Sequence, residues 1–167
     1  MPGSPLHRDA IRSLVEGTPP LLDGFLSVED QLQPNGFDLT LGDISRFITP
    51  GSMGSADSDR QLSATESIEA DAGGWLRLDP GPYLATFNEV VNLPPHLMAL
   101  GRPRSSLLRS GVSIHSAVWD AGYRGRSQVL LVVYHPVGYR LQRNARLMQL
   151  VFFHMDQPTS QGYQGRF

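Results

Sequence analysis

Cysteine and lysine are both missing from this sequence of 167 residues. Without cysteine there is no disulfide, no thiolate nucleophile, and no cysteine-held zinc or iron–sulfur site. The missing thiols are compatible with a reducing cytoplasm, which is the expected location. Without lysine there is no P-loop, because that motif needs its lysine on the phosphates. All 14 basic residues are arginine. Any phosphate gripped here must be held by Arg forks, backbone N–H groups or hydroxyls. The N-terminal residues lack an apolar signal segment, and no window reaches transmembrane length. The net charge of −2 gives no general pull on nucleic acid. Neither a membrane nor a nucleic acid is therefore expected as a partner. His7, His96, His115, His135 and His154 show no metal-ligand spacing and read as structural or surface residues.

The length fits one domain, 1–167. "SPLHRDAIRSLVE" (4–16) predicts a short amphipathic helix within an N-terminal segment, 1–24. Ser4 would be its N-cap, Pro5 its first residue, and Gly17 its end. Leu6, Ile11, Leu14 and Val15 would form its apolar face. Beyond residue 25 the chain breaks into short apolar runs cut by Gly, Pro and Asn. Strands are predicted at 37–41, 45–48, 75–78, 82–87, 90–92, 97–100, 112–118, 128–134, 138–141 and 147–154. Many short strands with regular turn signals predict an all-β sandwich or barrel. Residues 51–74, small, polar and acidic, predict a surface excursion. The Gly- and Gln-rich segment 156–167 is either a frayed tail or an arm that orders over a ligand.

Four segments carry candidate chemistry. In "QPNGFDLTL" (33–41) a turn leads into a strand, with Asp38 expected on the face opposite its apolar neighbours. An acid there usually caps a turn or makes a buried hydrogen bond, and it gains interest if other polar groups converge on it. In "GRPRSSLLRSG" (101–111), Arg102, Arg104 and Arg109 surround Ser105 and Ser106. That set is either a lysine-free phosphate cradle or a solvated turn between strands. "DAGYRG" (120–125) predicts the tip of a hairpin between strands 112–118 and 128–134. Asp120 there could cap the turn or deprotonate a water. Tyr123 offers a flat platform for a sugar or base. In "NARLMQLVFF" (144–153), Arg146 and Gln149 interrupt an apolar strand and must be satisfied by the fold or by a ligand.

Taken in order, these segments resemble the motifs of the trimeric dUTPase and dCTP deaminase family, and "GYQG" (162–165) resembles a weak form of its C-terminal motif. The likeness spans 33–165. It looks closest to the deaminase-related branch that includes archaeal-type dUTPases. The resemblance implies a distorted jelly-roll fold and a homotrimer with active sites between subunits. It also implies Mg²⁺ held mainly by the nucleotide's triphosphate. It matches Asp120 to the acid that positions the attacking water, and Tyr123 to the aromatic packed on the deoxyribose. Arg104, Ser105 and Ser106 match the phosphate motif, with Arg109 in support. Asp38 matches the acid near the metal, acting through water, and Gln149 a glutamine near the phosphates. Tyr163 and Gln164 match a closing arm, and Arg166 is a further phosphate candidate.

Two activities share such a site. Deamination needs a general acid/base beside C4 of cytosine. In the resembling deaminases this is a Glu on the strand after the third motif. Here no Asp or Glu stands between Asp120 and Asp156, and Gln128 cannot shuttle a proton as a carboxylate does. The expectation is therefore hydrolysis of dUTP to dUMP and diphosphate, with dCTP deamination as the alternative. A third reading is an inactive trimeric scaffold. Retention of Asp120, Tyr123 and the Arg–Ser cluster together argues against it.

Overall fold

The computed structural model of the chain describes residues 3–165. Helix α1 covers Arg8–Val15, β1 Leu22–Asp23, α2 Val28–Gln31 and β2 Leu32–Gln33. The long strand β3 runs over Gly36–Phe47, followed by β4 (Thr65–Ser67), β5 (Trp75–Leu78) and β6 (Gly81–Asn92). Then come β7 (Leu97–Pro103), α3 (Ser105–Leu108), β8 (Val112–His115) and β9 (Arg124–Val133). Strands β10 (Tyr139–Gln142) and β11 (Arg146–His154) complete the set.

The main sheet runs β7-β11-β3-β6-β9-β8, all antiparallel, and β5 pairs with β10 in a separate ribbon. The sheet rolls until its ends meet. Trp119, just past β8, pairs with Ala99 of β7 through two backbone bonds of 3.0 and 3.1 Å. Closure of this kind removes exposed edges. The expected all-β barrel-like fold with a short N-terminal helix is present.

Period-2 alternation explains the long strands. In β6, Tyr83, Ala85, Phe87, Glu89 and Val91 all face the core. In β9 the buried set is Ser127, Val129, Leu131 and Val133, with Arg126, Gln128 and Leu130 facing out. The two predicted strands at 37–41 and 45–48 are one continuous β3, and those at 82–87 and 90–92 are one β6. Each pair is bridged through an irregularity, at Leu41/Asp43 and Thr86/Val90. A bulge lets a strand continue through residues that break the pattern, which is why the sequence reads as two pieces.

The predicted helix start is wrong. Helix α1 begins at Arg8 with His7 at its N-cap, not at Ser4 and Pro5. Residues 4–6 instead extend along β11: Leu6 N–H donates to Phe152 O at 2.9 Å, and His154 N–H donates to Ser4 O at 3.2 Å. Pro5 pairs with Phe153 in an isolated bridge. A capping-type sequence lost to edge pairing that also buries Leu6.

The excursion at 51–74 is ordered. Ser52 and Gln61 exchange backbone bonds of 2.8 and 2.9 Å, and β4 returns along β3. No helix among the described residues is long and apolar enough to cross a membrane.

Candidate active site

The first group of site residues is assembled by strand register. Asp38 on β3 lies opposite Gln149 on β11, and Gln149 lies opposite Arg102 on β7. Paired residues in an antiparallel sheet project to the same face, so the three form a row. Close packing marks this row. A side chain at Gly36 would meet Leu150 O at 2.4 Å and the Gln149 side chain at 2.9 Å.

The alternation expected for Asp38 is correct, but its face is not open. Gly36–Leu41 is buried throughout, and Asp38 is 2 % exposed. The Arg104 guanidinium bonds its carboxylate, and Arg146 Nη1 lies 3.6 Å from the same oxygen. Burial outweighs these two cations and holds the Asp38 carboxyl above the usual carboxylate range.

Arg104 ends the β7 path. Its backbone N–H donates to Leu147 O at 2.9 Å, and its carbonyl accepts from Leu107 N–H as the N-cap of α3. Ser105 and Ser106 are exposed on the first turn of that short helix, and Arg109 is exposed at its C-cap. Asp38, Arg104 and Gln149 are thus brought together, with Ser105, Ser106 and Arg109 on the adjoining turn.

The second group is a tight turn, Asp120 to Tyr123. Tyr123 N–H donates to Asp120 O at 3.0 Å, and Gly122 has φ +83°. A turn with positive φ at its third residue calls for glycine. The turn is anchored to the chain before β7, because Gly122 N–H donates to Leu93 O and Leu93 N–H donates to Tyr123 O. Asp120 is exposed, whereas Tyr123 is 8 % exposed. Trp119 Nε1 donates to Ser127 Oγ at 2.6 Å, and Ser127 Oγ donates to the Tyr123 hydroxyl at 3.2 Å. The tyrosine is therefore fixed at both its ring and its hydroxyl. The hairpin loop lies earlier in the chain than expected, at 116–123 rather than 119–127. Strand β8 stops at His115 rather than 118, and β9 begins at Arg124 rather than 128. The turn is one corner of a loop braced on β7, rather than a bare tip.

The third group is the C-terminal arm. Tyr163 N–H donates to Ala121 O at 2.9 Å. The Tyr163 ring meets the Tyr123 ring edge-on, with centroids 5.2 Å apart. Beside them opens a pocket of about 270 Å³ lined by Trp119, Tyr123, Arg126, Ser127, Gln128 and Tyr163, among others. Gln164 is exposed, and Arg166 lies outside the described residues. Through Tyr163 the C-terminal segment rests on the Asp120–Tyr123 turn.

The two polar groups stay separate within one chain. Among the described residues, no hydrogen bond or ion pair joins Asp38, Arg104 or Gln149 to Asp120 or Tyr123. Nor, among those residues, is there a cluster of three or more acids or histidines able to cage a metal. A cation at Asp38 would rest on one carboxylate and on ligands from a nucleotide, which is the ordinary habit of Mg²⁺.

One residue behind the site was missed. Glu89 is fully buried, and its carboxylate accepts from Gln31 Nε2 (2.7 Å), Thr40 N–H (2.9 Å) and Thr40 Oγ1 (2.6 Å). Gln31 Nε2 also donates to Asp38 O at 2.8 Å. The signal was legible: Glu89 stands at an inward position of the alternating run from Tyr83 to Val91.

Comparison with known proteins gives a consistent family. A family model described as dCTP deaminase-like matches residues 6–155. A probable deoxyuridine 5′-triphosphate nucleotidohydrolase of Methanococcoides burtonii is 42% identical over 162 residues, covering 97% of this chain and 95% of its own. A relative of the same description from Archaeoglobus fulgidus is 44% identical over 160 residues, 96% of this chain and 93% of its own. Among solved structures, the 2′-deoxycytidine 5′-triphosphate deaminase of Agrobacterium tumefaciens matches with a TM-score of 0.67 at 25% identity. That likeness covers 91% of this chain but 48% of the deaminase, so the chain spans about half the deaminase's length.

Proposed function

The chain belongs to the dCTP deaminase-like family, and within it we propose that this protein is a dUTP diphosphatase, hydrolysing dUTP to dUMP and diphosphate. Its near full-length likeness to relatives described as deoxyuridine triphosphate nucleotidohydrolases supports this. The observation that carries the choice over deamination is on β9. That strand continues from the Asp120 turn with no carboxylate, and the next acid is Asp156. A deaminase needs a proton shuttle at C4, and here the only acid of the hairpin is Asp120.

In this reading Asp120 orients a water and takes its proton as the water oxygen attacks the α-phosphorus. The α–β bridging oxygen leaves with the diphosphate. Arg104, Ser105, Ser106, Arg109 and Gln149 bind the phosphate chain and offset its charge. Asp38 keeps Arg104 aimed along the sheet row and stands beside the phosphates. Mg²⁺ would be held there through water from Asp38 and by the nucleotide, neutralising charge on the phosphate oxygens. Tyr123 packs on the deoxyribose, where a 2′-hydroxyl would clash. Tyr163 and Gln164 belong to the arm that closes over the nucleotide.

A homotrimer acting on free nucleotides in the cytoplasm completes the proposal. Its support is physical. One chain leaves the phosphate group and the Asp120 turn unjoined, and apolar Val118 in the hairpin loop, Leu130 on β9 and Tyr134 just past it are exposed. Assembly would bring neighbouring copies of the two groups together and cover that surface.

The test offers dUTP, dCTP, dTTP and UTP with Mg²⁺ and measures diphosphate and ammonia. Diphosphate from dUTP alone is expected. Ammonia from dCTP would establish the deaminase, and neither product the inactive scaffold. Asp120→Asn should keep dUTP binding while turnover falls by roughly 10²–10⁴. Full turnover in that variant rejects Asp120 as the base.

A further inference from the structure

Strand β3 changes partners at the phosphate group. On the edge away from β11 it pairs with β2 at Gly36 and Phe37, and with β6 from Leu41 onward. Between these, among the described residues, no strand covers 38–40 on that edge. Two buried side chains fill the gap. Gln31 Nε2 donates to Asp38 O at 2.8 Å, and the Glu89 carboxylate accepts from Thr40 N–H at 2.9 Å. The two are tied together, because Gln31 Nε2 also donates to Glu89 Oε1 at 2.7 Å. The Gln31 amide has one possible orientation. Its Oε1 accepts from Leu26 N–H at 2.8 Å and from Ser27 N–H at 3.0 Å, groups that can only donate. Its Nε2 faces the Asp38 carbonyl, which can only accept. The residue is 1 % exposed. Its helix also holds the other side of the group. Asp30 O, one residue earlier on α2, accepts from the Arg146 guanidinium, which stands beside the Asp38 carboxylate.

We infer that Gln31 is a positioning residue for the phosphate-binding group: it sets where Asp38, and with it the Arg104 guanidinium, stands against the phosphate chain. The inference rests on the diphosphatase reading proposed above. A strand segment that lacks ladder bonds along one edge can shift unless side chains replace them. Gln31 replaces the bond at Asp38, and Glu89 the bond at Thr40. Arg104 is anchored on the Asp38 carboxylate, so a shift of the strand moves the guanidinium too. A small misplacement of a charged donor is costly where it must meet a phosphate oxygen in fixed geometry. Gln31 does this from behind the sheet without touching the nucleotide. Helix α2 thus grips Asp38 by its backbone and Arg146 by its side chain, and fixes the two relative to each other.

The test compares two ligands that use different parts of the site. The non-cleavable α,β-imido analogue of dUTP, with Mg²⁺, needs the phosphate group and is followed by titration calorimetry. Deoxyuridine carries no phosphate and is followed by NMR titration. Gln31→Met keeps the side chain's length and removes its four hydrogen bonds. It should weaken the imido analogue about tenfold, the lower end for one lost bond to a charged group. Deoxyuridine binding should be unchanged. Because Gln31 acts through Asp38, the same substitution in an Asp38→Asn background should add little. Thr40→Val removes one bond from Glu89 but keeps the Thr40 N–H. It should give a smaller loss of the same selective kind, and it decides the matter if Gln31→Met does not fold. Equal weakening of both ligands would mean a general loosening of the fold and overturns the inference, as does unchanged binding of the imido analogue. Either result leaves the diphosphatase reading intact. Wild-type protein that fails to bind the imido analogue overturns that reading and the inference with it.

Discussion

Glu89→Ala tests the physics behind the site most directly. Glu89 is fully buried, with no cation among its partners, and relies on three donated hydrogen bonds. Truncation leaves Thr40 N–H and the Thr40 hydroxyl without their acceptor, and removes one of the two bonds of the Gln31 amide N–H₂. Each bond to a charged group is worth about 1.5–3 kcal/mol, and each stranded buried donor costs about 1–3 kcal/mol. These overlap, so the expected loss is about 3–5 kcal/mol. A domain has only about 5–15 kcal/mol in total. For a chain of this size, about 2–4 °C per kcal/mol converts the loss to a melting point roughly 6–20 °C lower. Thermal unfolding followed by circular dichroism reads it. Glu89→Gln should lose less, because one oxygen remains to accept. A Glu89→Ala melting point within about 2 °C of wild type would refute the reasoning, since it would put the loss below about 1 kcal/mol.

The remaining predictions concern the turn, the sugar platform and the buried acid. Gly122→Ala places a methyl group 2.9 Å from Gly162 Cα at φ +83°. Residue strain of about 1–2 kcal/mol and a displaced arm are expected. Faster proteolysis of the last residues would show the displacement, and unchanged protection would reject it. Tyr123→Ala should narrow the preference for dUTP over UTP, read as a ratio of kcat/KM values; an unaltered ratio would eliminate the sugar-packing role. Asp38 is held above the usual carboxylate range. Its contribution to stability is therefore complete below the unfolded value near about 3.9. That contribution declines as pH rises through the folded value. Relative to Asp38→Asn, wild-type stability in urea should fall as pH is raised from about 4. A rise would show that the arginines, not burial, dominate.

Local patterns carried much of the fold. Short strands were legible at 82–87, 90–92 and 128–134, and their inward faces follow in the structure because a strand's side-chain period is fixed by its backbone. The turn at Asp120–Tyr123 was equally legible, since glycine is the residue that accepts its third position. Other features were not. The Ser4–Pro5 start looked like a helix cap but became strand pairing, because β11 supplied partners from far along the chain. Asp38 read as one acid on a polar face. Its burial beneath Arg104 and Arg146 depends on three strands brought into register.

The sequence by itself determined the chemical vocabulary: no thiol, no lysine, arginine for every cation, and a lone acid on the hairpin. It also set the strand periods, because both properties belong to the residues and their neighbours. Only the tertiary structure decided which distant side chains meet. The Asp38–Gln149–Arg102 row, the Glu89 network and the Tyr163–Tyr123 contact join positions 40 or more residues apart. Such contacts arise from how antiparallel strands align and how the sheet closes, and no local run of sequence encodes that alignment.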